Sequence, residues 1–178
     1  MRYDTSELYG QKEASRTVTY IYSLVLLLLT ALALTECSET PLESHVTRED
    51  TRVFRYAGYF LKNGSPDPVQ MAVAVMETKR PALMAAMAVK ESNGNPRAVG
   101  DGGHSRGAWQ VQPKHWGTVP MDPTQQALQA EKILDELVAA SPRRSLRCGL
   151  ARYNGGNTPP RVSYQYARDV IKMRRMLL

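Results

Sequence analysis

Cysteine is nearly missing from this chain: Cys37 and Cys148 are the only thiols in 178 residues. Two are too few for a disulfide framework, and no spacing of His and Cys suits a metal ion. A Cys37–Cys148 bridge would tie a polar linker to the core and is not expected. Cys148, in the apolar run before Tyr153, reads instead as a small core residue. Neither His104 nor His115 fits a triad with a serine nucleophile, so neither receives a catalytic role. The chain also lacks an internal repeat, a low-complexity tract, a helix-turn-helix and any basic stripe interleaved with aromatics. What remains is one domain, long enough to enclose a core without disulfide or metal staples.

Acid is scarce as well, but in one part only. Residues 1–50 hold 4 Lys+Arg against 8 Asp+Glu, net −4, whereas 51–178 hold 19 against 9, net +10. A basic domain attracts polyanions over long range. Nucleic acid and bacterial wall polymers both qualify, and the missing nucleic-acid signatures turn the expectation away from the former. Charge disappears altogether from Thr17 to Thr35, 19 residues centred on YSLVLLLLTALAL. That length crosses a bilayer as a helix. A buried core helix is the other reading, but its place between a polar tail (1–16) and an acidic linker (36–50) favours the membrane. Ala31-Leu32-Ala33 offers a signal-peptidase site after a long lead, and Leu34-Thr35-Glu36-Cys37 departs from a lipoprotein box at Glu36. An uncleaved anchor, N-terminus inside, is the preferred form, with a cleaved signal as the alternative.

From Thr51 onward the periodicities predict a mainly α domain with one small β or loop segment. A first helix carries Val53, Tyr56, Ala57 and Phe60 and stops at Asn63-Gly64. A second runs from Val69 to Lys79, with Ser65 or Asp67 available as its cap. Asp122-Pro123-Thr124 starts another, directing Leu128, Ile133, Leu134 and Leu137 to the core. Ser145–Tyr153 and Tyr164–Leu177 complete the set, and Trp116 is expected to pack against the domain. Between Ala98 and Gln112 lie a Gly-rich loop and a short alternating run suited to a hairpin.

The stretch from Pro81 to Pro113 organises the rest. Pro81 suits a first helical position. Ala82–Val89 is almost wholly apolar and unbranched, as in a helix buried on all sides. Asn93-Gly94-Asn95-Pro96 ends it. At 100° per residue Met84, Met87, Ala88 and Glu91 share a face, so an acid ends an apolar stripe in the last turn. Either Glu91 rotates into solvent, or the helix dipole and the apolar surroundings raise its pKa and make it a general acid.

Glu91-Ser92, Asn95-Pro96, Ala98 and then Gly107-Ala108-Trp109-Gln110 resemble the pattern E-S-x-x-N-P-x-A … G-L-M-Q of the soluble-lytic-transglycosylase catalytic domain. That family is a relative of goose-type lysozyme. Ala151-Arg152-Tyr153-Asn154-Gly155-Gly156 is similar to its later A-A-Y-N-A-G. The resemblance covers about 125 residues, Val53 to Leu178. It implies a lysozyme-like fold, no cofactor or metal, and peptidoglycan glycan strands as substrate. It also implies cleavage of the β-1,4 bond between N-acetylmuramic acid and N-acetylglucosamine, closing a 1,6-anhydro ring.

By the same resemblance Glu91 is the single acid and base. Gln110 and Tyr153 face substrate, Ser92 of the same motif as the acid is a further substrate-binding residue, and Asn154 fixes a turn or touches sugar. Trp109 stands where the family has Met and either stacks on a sugar or lies in the core. The family's serine near the acid is replaced by Gly100, with Ser105 a candidate substitute. Asp101 follows in Gly-Asp-Gly-Gly, similar to a segment of goose-type lysozymes. It is either a turn former or a second acid that positions water, which would make the enzyme a hydrolase. A wall-binding protein without chemistry is a more remote reading, opposed by the intact Glu91, Gln110 and Tyr153. The domain is expected to act as a monomer outside the cytoplasm, in the periplasm or wall. Its small size and single domain point toward phage, virion or secretion use.

Overall fold

The computed structural model describes residues 48–178, so the expected tail, membrane segment and most of the linker lie outside the described residues. Among the described residues no helix is long and apolar enough to cross a membrane. Seven α-helices occur there: α1 (Arg48–Lys62), α2 (Pro68–Met76), α3 (Pro81–Ser92), α4 (Pro113–Trp116), α5 (Pro123–Ala139), α6 (Leu146–Gly155) and α7 (Arg161–Arg175). Two short strands, β1 (Val99–Gly100) and β2 (Ser105–Arg106), pair antiparallel with Val99 opposite Arg106 and Gly100 opposite Ser105. Arg106 also bridges Val111. The expectation of a mainly α domain with a small hairpin in 98–112 therefore matches the architecture.

α3 is the axis of the domain. Every residue from Ala82 to Val89 is buried, against α1, α2, α5 and α7. The run of Ala and Met explains how four helices can approach one. Alanine lets backbones come close, while Leu83, Met84 and Met87, all fully buried, fill the gaps. Removing each of these larger side chains from water stabilises the fold by roughly 1.5–3 kcal/mol. The helix is anchored at its start by an acid on α5. The buried Glu131 carboxylate accepts the Lys79 and Arg80 N–H groups at 3.0 and 3.1 Å, holding the backbone that leads into the helix.

Several local expectations are corrected. α1 begins at Arg48, three residues inside the stretch read as linker, and α2 stops at Met76, short of Lys79. Neither Ser65 nor Asp67 caps α2: Asp67 makes no side-chain cap bond, and Ser65 Oγ donates to the Gly94 carbonyl at 2.8 Å. The tertiary contact outcompetes the local one because Ser65 is buried. Leu128 is exposed, since the inner stripe of α5 is Ala127, Ala130, Ile133, Leu134 and Leu137. Trp116 ends the unanticipated one-turn α4 and remains at the surface, its carbonyl taken by Gln129 Nε2. Cys148 is a free, half-buried thiol beside Arg147 and Arg152 rather than a core residue. The helix starts expected at Asp122 and Ser145 are present and capped: Asp122 accepts from Gln125 N at 2.8 Å, and Ser145 from Cys148 N at 3.2 Å.

One side chain that periodicity gave no reason to single out fixes the hairpin to the helices. Gln126, buried on α5, accepts from Ala108 N at 2.9 Å and donates to Pro96 O at 3.0 Å and Pro120 O at 2.8 Å. Truncation would leave buried backbone groups unpaired, each worth about 1–3 kcal/mol. Gln126→Leu is expected to destabilise the protein by about 2–4 kcal/mol, read as a lower urea midpoint with an unchanged slope.

Candidate active site

The site forms where α3 ends. Asn93 and Gly94 both take left-handed backbone, φ 57° and 73°, and the Gly94 N–H returns to Ala88 O at 3.0 Å. A side chain on Gly94 would meet the Phe60 ring, with the nearest carbon at 2.6 Å, so glycine is required twice over. Ser92 then ties the helix end to the hairpin. Its Oγ accepts from Asn95 N at 3.0 Å and donates to Ala108 O at 2.8 Å. These bonds hold Glu91, one residue earlier, in a fixed last turn.

α7 grips that turn from the other side. The Tyr166 hydroxyl donates to Glu91 Oε1 at 2.5 Å, and Asp169, three residues on, holds Lys90 Nζ at 3.0 Å. Two consecutive residues of α3 are thus met by two residues one turn apart on α7. Glu91 is half-buried, and loss of water pushes its carboxyl from 4.5 up to about 7. The Tyr166 hydrogen bond pulls it down, the Asp101 charge pushes it up, and the Lys90 ammonium pulls it down. Tyr166 and Tyr153 are themselves pushed well above the usual phenol range by burial and by the charge of Glu91, so both remain hydroxyl donors. A carboxyl poised near neutrality beside two permanent O–H donors has the chemistry that proton transfer requires.

The hairpin and the segment after it supply the rest of the cluster. Tyr153 on α6 donates to Trp109 O at 2.8 Å, fixing the backbone just before Gln110. Gln110 sits at φ 48°, unusual for a residue with a Cβ, and its Nε2 donates to Gly107 O at 2.9 Å. Its Oε1 lies over Gly100, where any Cβ would collide with it. The serine that the resemblance leads one to expect at position 100 would displace the Gln110 amide from where it stands. Ser105 does not substitute for it toward a ligand, because it is buried and its Oγ donates to Asp101 Oδ2 at 2.5 Å. Asp101, exposed and at φ 50°, is near enough for its charge to act on Glu91.

Of the residues singled out in the sequence, Asp101 and Tyr153 are each coupled to Glu91 by charge, and the Trp109 carbonyl links Tyr153 to Gln110. Ser92 and Ser105 are internal struts. Asn154 lies exposed in the last turn of α6. Trp109 is core: it is 1% exposed and its indole N–H bonds Met84 O at 3.0 Å, so its face is closed to a sugar. Two open grooves, at the start of α1 and beside Cys148, touch none of Glu91, Tyr153 or Tyr166. Among the described residues no group of three or more His, Cys, Asp and Glu side chains converges as a metal site would.

A family model for the transglycosylase SLT domain matches residues 69–173. The chain belongs to the transglycosylase SLT family. Its mainly helical architecture fits the lysozyme-like fold, and peptidoglycan cleavage of the lytic-transglycosylase type follows at the level of the family. No curated protein and no solved structure matches the chain. The match begins within α2 and ends within α7, so it spans every residue of the Glu91 cluster.

Tyr166 is the member of this cluster that sequence reasoning missed. The signal was present: Ser163, Tyr166, Ala167 and Val170 form the buried stripe of α7, and a buried tyrosine hydroxyl needs a polar partner. Since that partner's bond favours the carboxylate, Tyr166→Phe should raise the Glu91 pKa above 7, whereas Asp169→Asn, which frees the Lys90 ammonium, should lower it. Carboxyl titration followed by carbon NMR reads both signs.

The raised pKa also has a cost in stability. For an acid raised on folding, the stabilisation is complete below the unfolded value, 4.5, and is lost as pH rises toward about 7. Wild-type protein should lose about 3 kcal/mol across that window relative to Glu91→Gln, measured by denaturant unfolding at a series of pH values.

Proposed function

We propose that the chain cleaves the glycosidic bond between N-acetylmuramic acid and N-acetylglucosamine as a lytic transglycosylase, with Glu91 as acid and then base. The observation that carries this reading is the Glu91 carboxyl, half-buried, bonded by Tyr166 and poised near pH 7. Protonated, Glu91 donates to the leaving glycosidic oxygen. The C1–O bond breaks, and the substrate's own N-acetyl oxygen stabilises the cationic anomeric carbon. Glu91, now a carboxylate, takes the proton of the C6 hydroxyl as that oxygen bonds to C1. The 1,6-anhydro ring closes and Glu91 returns to its starting state. One carboxyl near its midpoint serves both steps, because each direction of transfer then has a small driving force. Tyr166 steadies the charged form between them. Gln110, whose amide both donates and accepts, orients the sugar in this reading.

A hydrolytic variant has one observation in its favour. Asp101 is an exposed carboxylate whose charge Glu91 feels, with its Oδ2 steadied by Ser105. An acid so placed can orient a water molecule toward C1. The uncharged stretch 17–35 supports an extracytoplasmic setting, with the domain tethered by an apolar segment. Phage or secretion use stays part of the same proposal.

Mass spectrometry of digested wall separates the two reactions. Anhydro-muramoyl ends are expected, while reducing ends would overturn the lyase in favour of the hydrolase. Glu91→Gln should reduce clearing at least ~10³-fold with the fold intact, since Gln keeps the shape and cannot supply the proton. Asp101→Asn should leave ring closure within about threefold of wild type, whereas a hydrolase would lose about 10²-fold or more.

A further inference from the structure

We propose that the end of the domain formed by the start of α1 and the last turn of α7 is a seat for the phosphate headgroups of an anionic membrane surface. This inference rests on the tether reading above. Arg48, Arg52 and Arg55, at i, i+4 and i+7, line one open groove together with Tyr56, Leu177 and Leu178. Lys172, Arg174 and Arg175 crowd the adjoining end of α7. No acidic side chain among the described residues lines the groove. Leu178 in the groove and Met176 next to it are large apolar side chains that stand in water, 76% and 68% exposed. Guanidinium groups around protruding apolar side chains are the composition of a surface that rests in the headgroup layer.

Chain order supplies the independent argument. Twelve residues, 36–47, separate the uncharged stretch from Arg48. Fully extended they reach about 40 Å. If 17–35 sits in a bilayer, the start of α1 is held near that bilayer, and it is this end of the domain that carries the arginines. The arrangement also fixes the height of the chemistry. Tyr166 and Arg175 are nine residues apart on α7, about 13 Å along its axis. A domain seated by the α7 terminus would work on glycan lying just above the membrane.

The test uses the full chain with a fluorophore on M176C in a C37S/C148S background and a quencher carried on lipid headgroups. It is reconstituted into vesicles of phosphatidylcholine, or of phosphatidylcholine with about a third phosphatidylglycerol. Quenching should be about fivefold stronger in the anionic vesicles and should vanish in ~0.5 M salt. R52Q/R55Q should abolish it while the chain still resists an alkaline carbonate wash. Equal quenching in both vesicle types, on a chain that resists the wash, overturns the seat and leaves the tether standing. Quenching that ignores lipid charge yet is lost in R52Q/R55Q makes the acidic stretch 36–47 the occupant, and also overturns it. A chain that washes off overturns the tether instead. Co-sedimentation of that chain then decides the seat: binding to anionic vesicles alone supports it, and binding to neither overturns it.

Discussion

The structure depends on the desolvation of one carboxyl. Glu91 lies in the last turn of a helix in which Ala82–Val89 are all buried, and it keeps only part of its access to water. A charge there is disfavoured by burial and by the nearby Asp101, so the group is moved to the middle of the pH scale. Much of the surrounding architecture opposes that penalty or holds it in place. Tyr166 bonds the charged form, the Lys90–Asp169 pair sets a cation one residue away, and Ser92 locks the turn. The site is thus an energetic compromise: the domain surrenders some stability near neutral pH to keep an acid that is half-ionised there.

The scaffold explains why this compromise is tolerable. α3 is held at its start by Glu131 from α5 and along its length by four helices. Its end is closed by left-handed Asn93 and Gly94, with Phe60 filling the space behind. Anchoring at both ends makes the position of Glu91 a property of the whole core rather than of a loop. The hairpin is bound as firmly, through Gln126 on α5, Tyr153 on α6 and the Trp109 indole on α3 itself.

What could be read in advance follows from which forces are local. The buried run Ala82–Val89, the stop at Asn93-Gly94 and the hairpin signals in 98–112 depend on neighbours in sequence, and they appear where periodicity and turn chemistry put them. Glu91 was visible because a 100° period set it on the apolar stripe. Residues whose roles depend on long-range partners were not. Tyr166 is 75 positions from Glu91, and the nearest of Gln126's three backbone partners is 6 positions away and the farthest 30. Trp109 was ambiguous for the same reason: an indole near a sugar motif suits stacking or packing equally until its N–H partner, 25 residues back, is known. Ser65 and Leu128 were misjudged because a nearby helix start and a hydrophobic side chain both suggested local roles that the tertiary packing did not use.

The bond from the Trp109 indole to Met84 has a mechanical meaning. It joins the segment that carries Gln110 to the middle of the helix that carries the acid, so the two halves of the cluster cannot part without breaking a buried bond. A load placed on that segment is therefore passed to the core of the domain and not to a hinge.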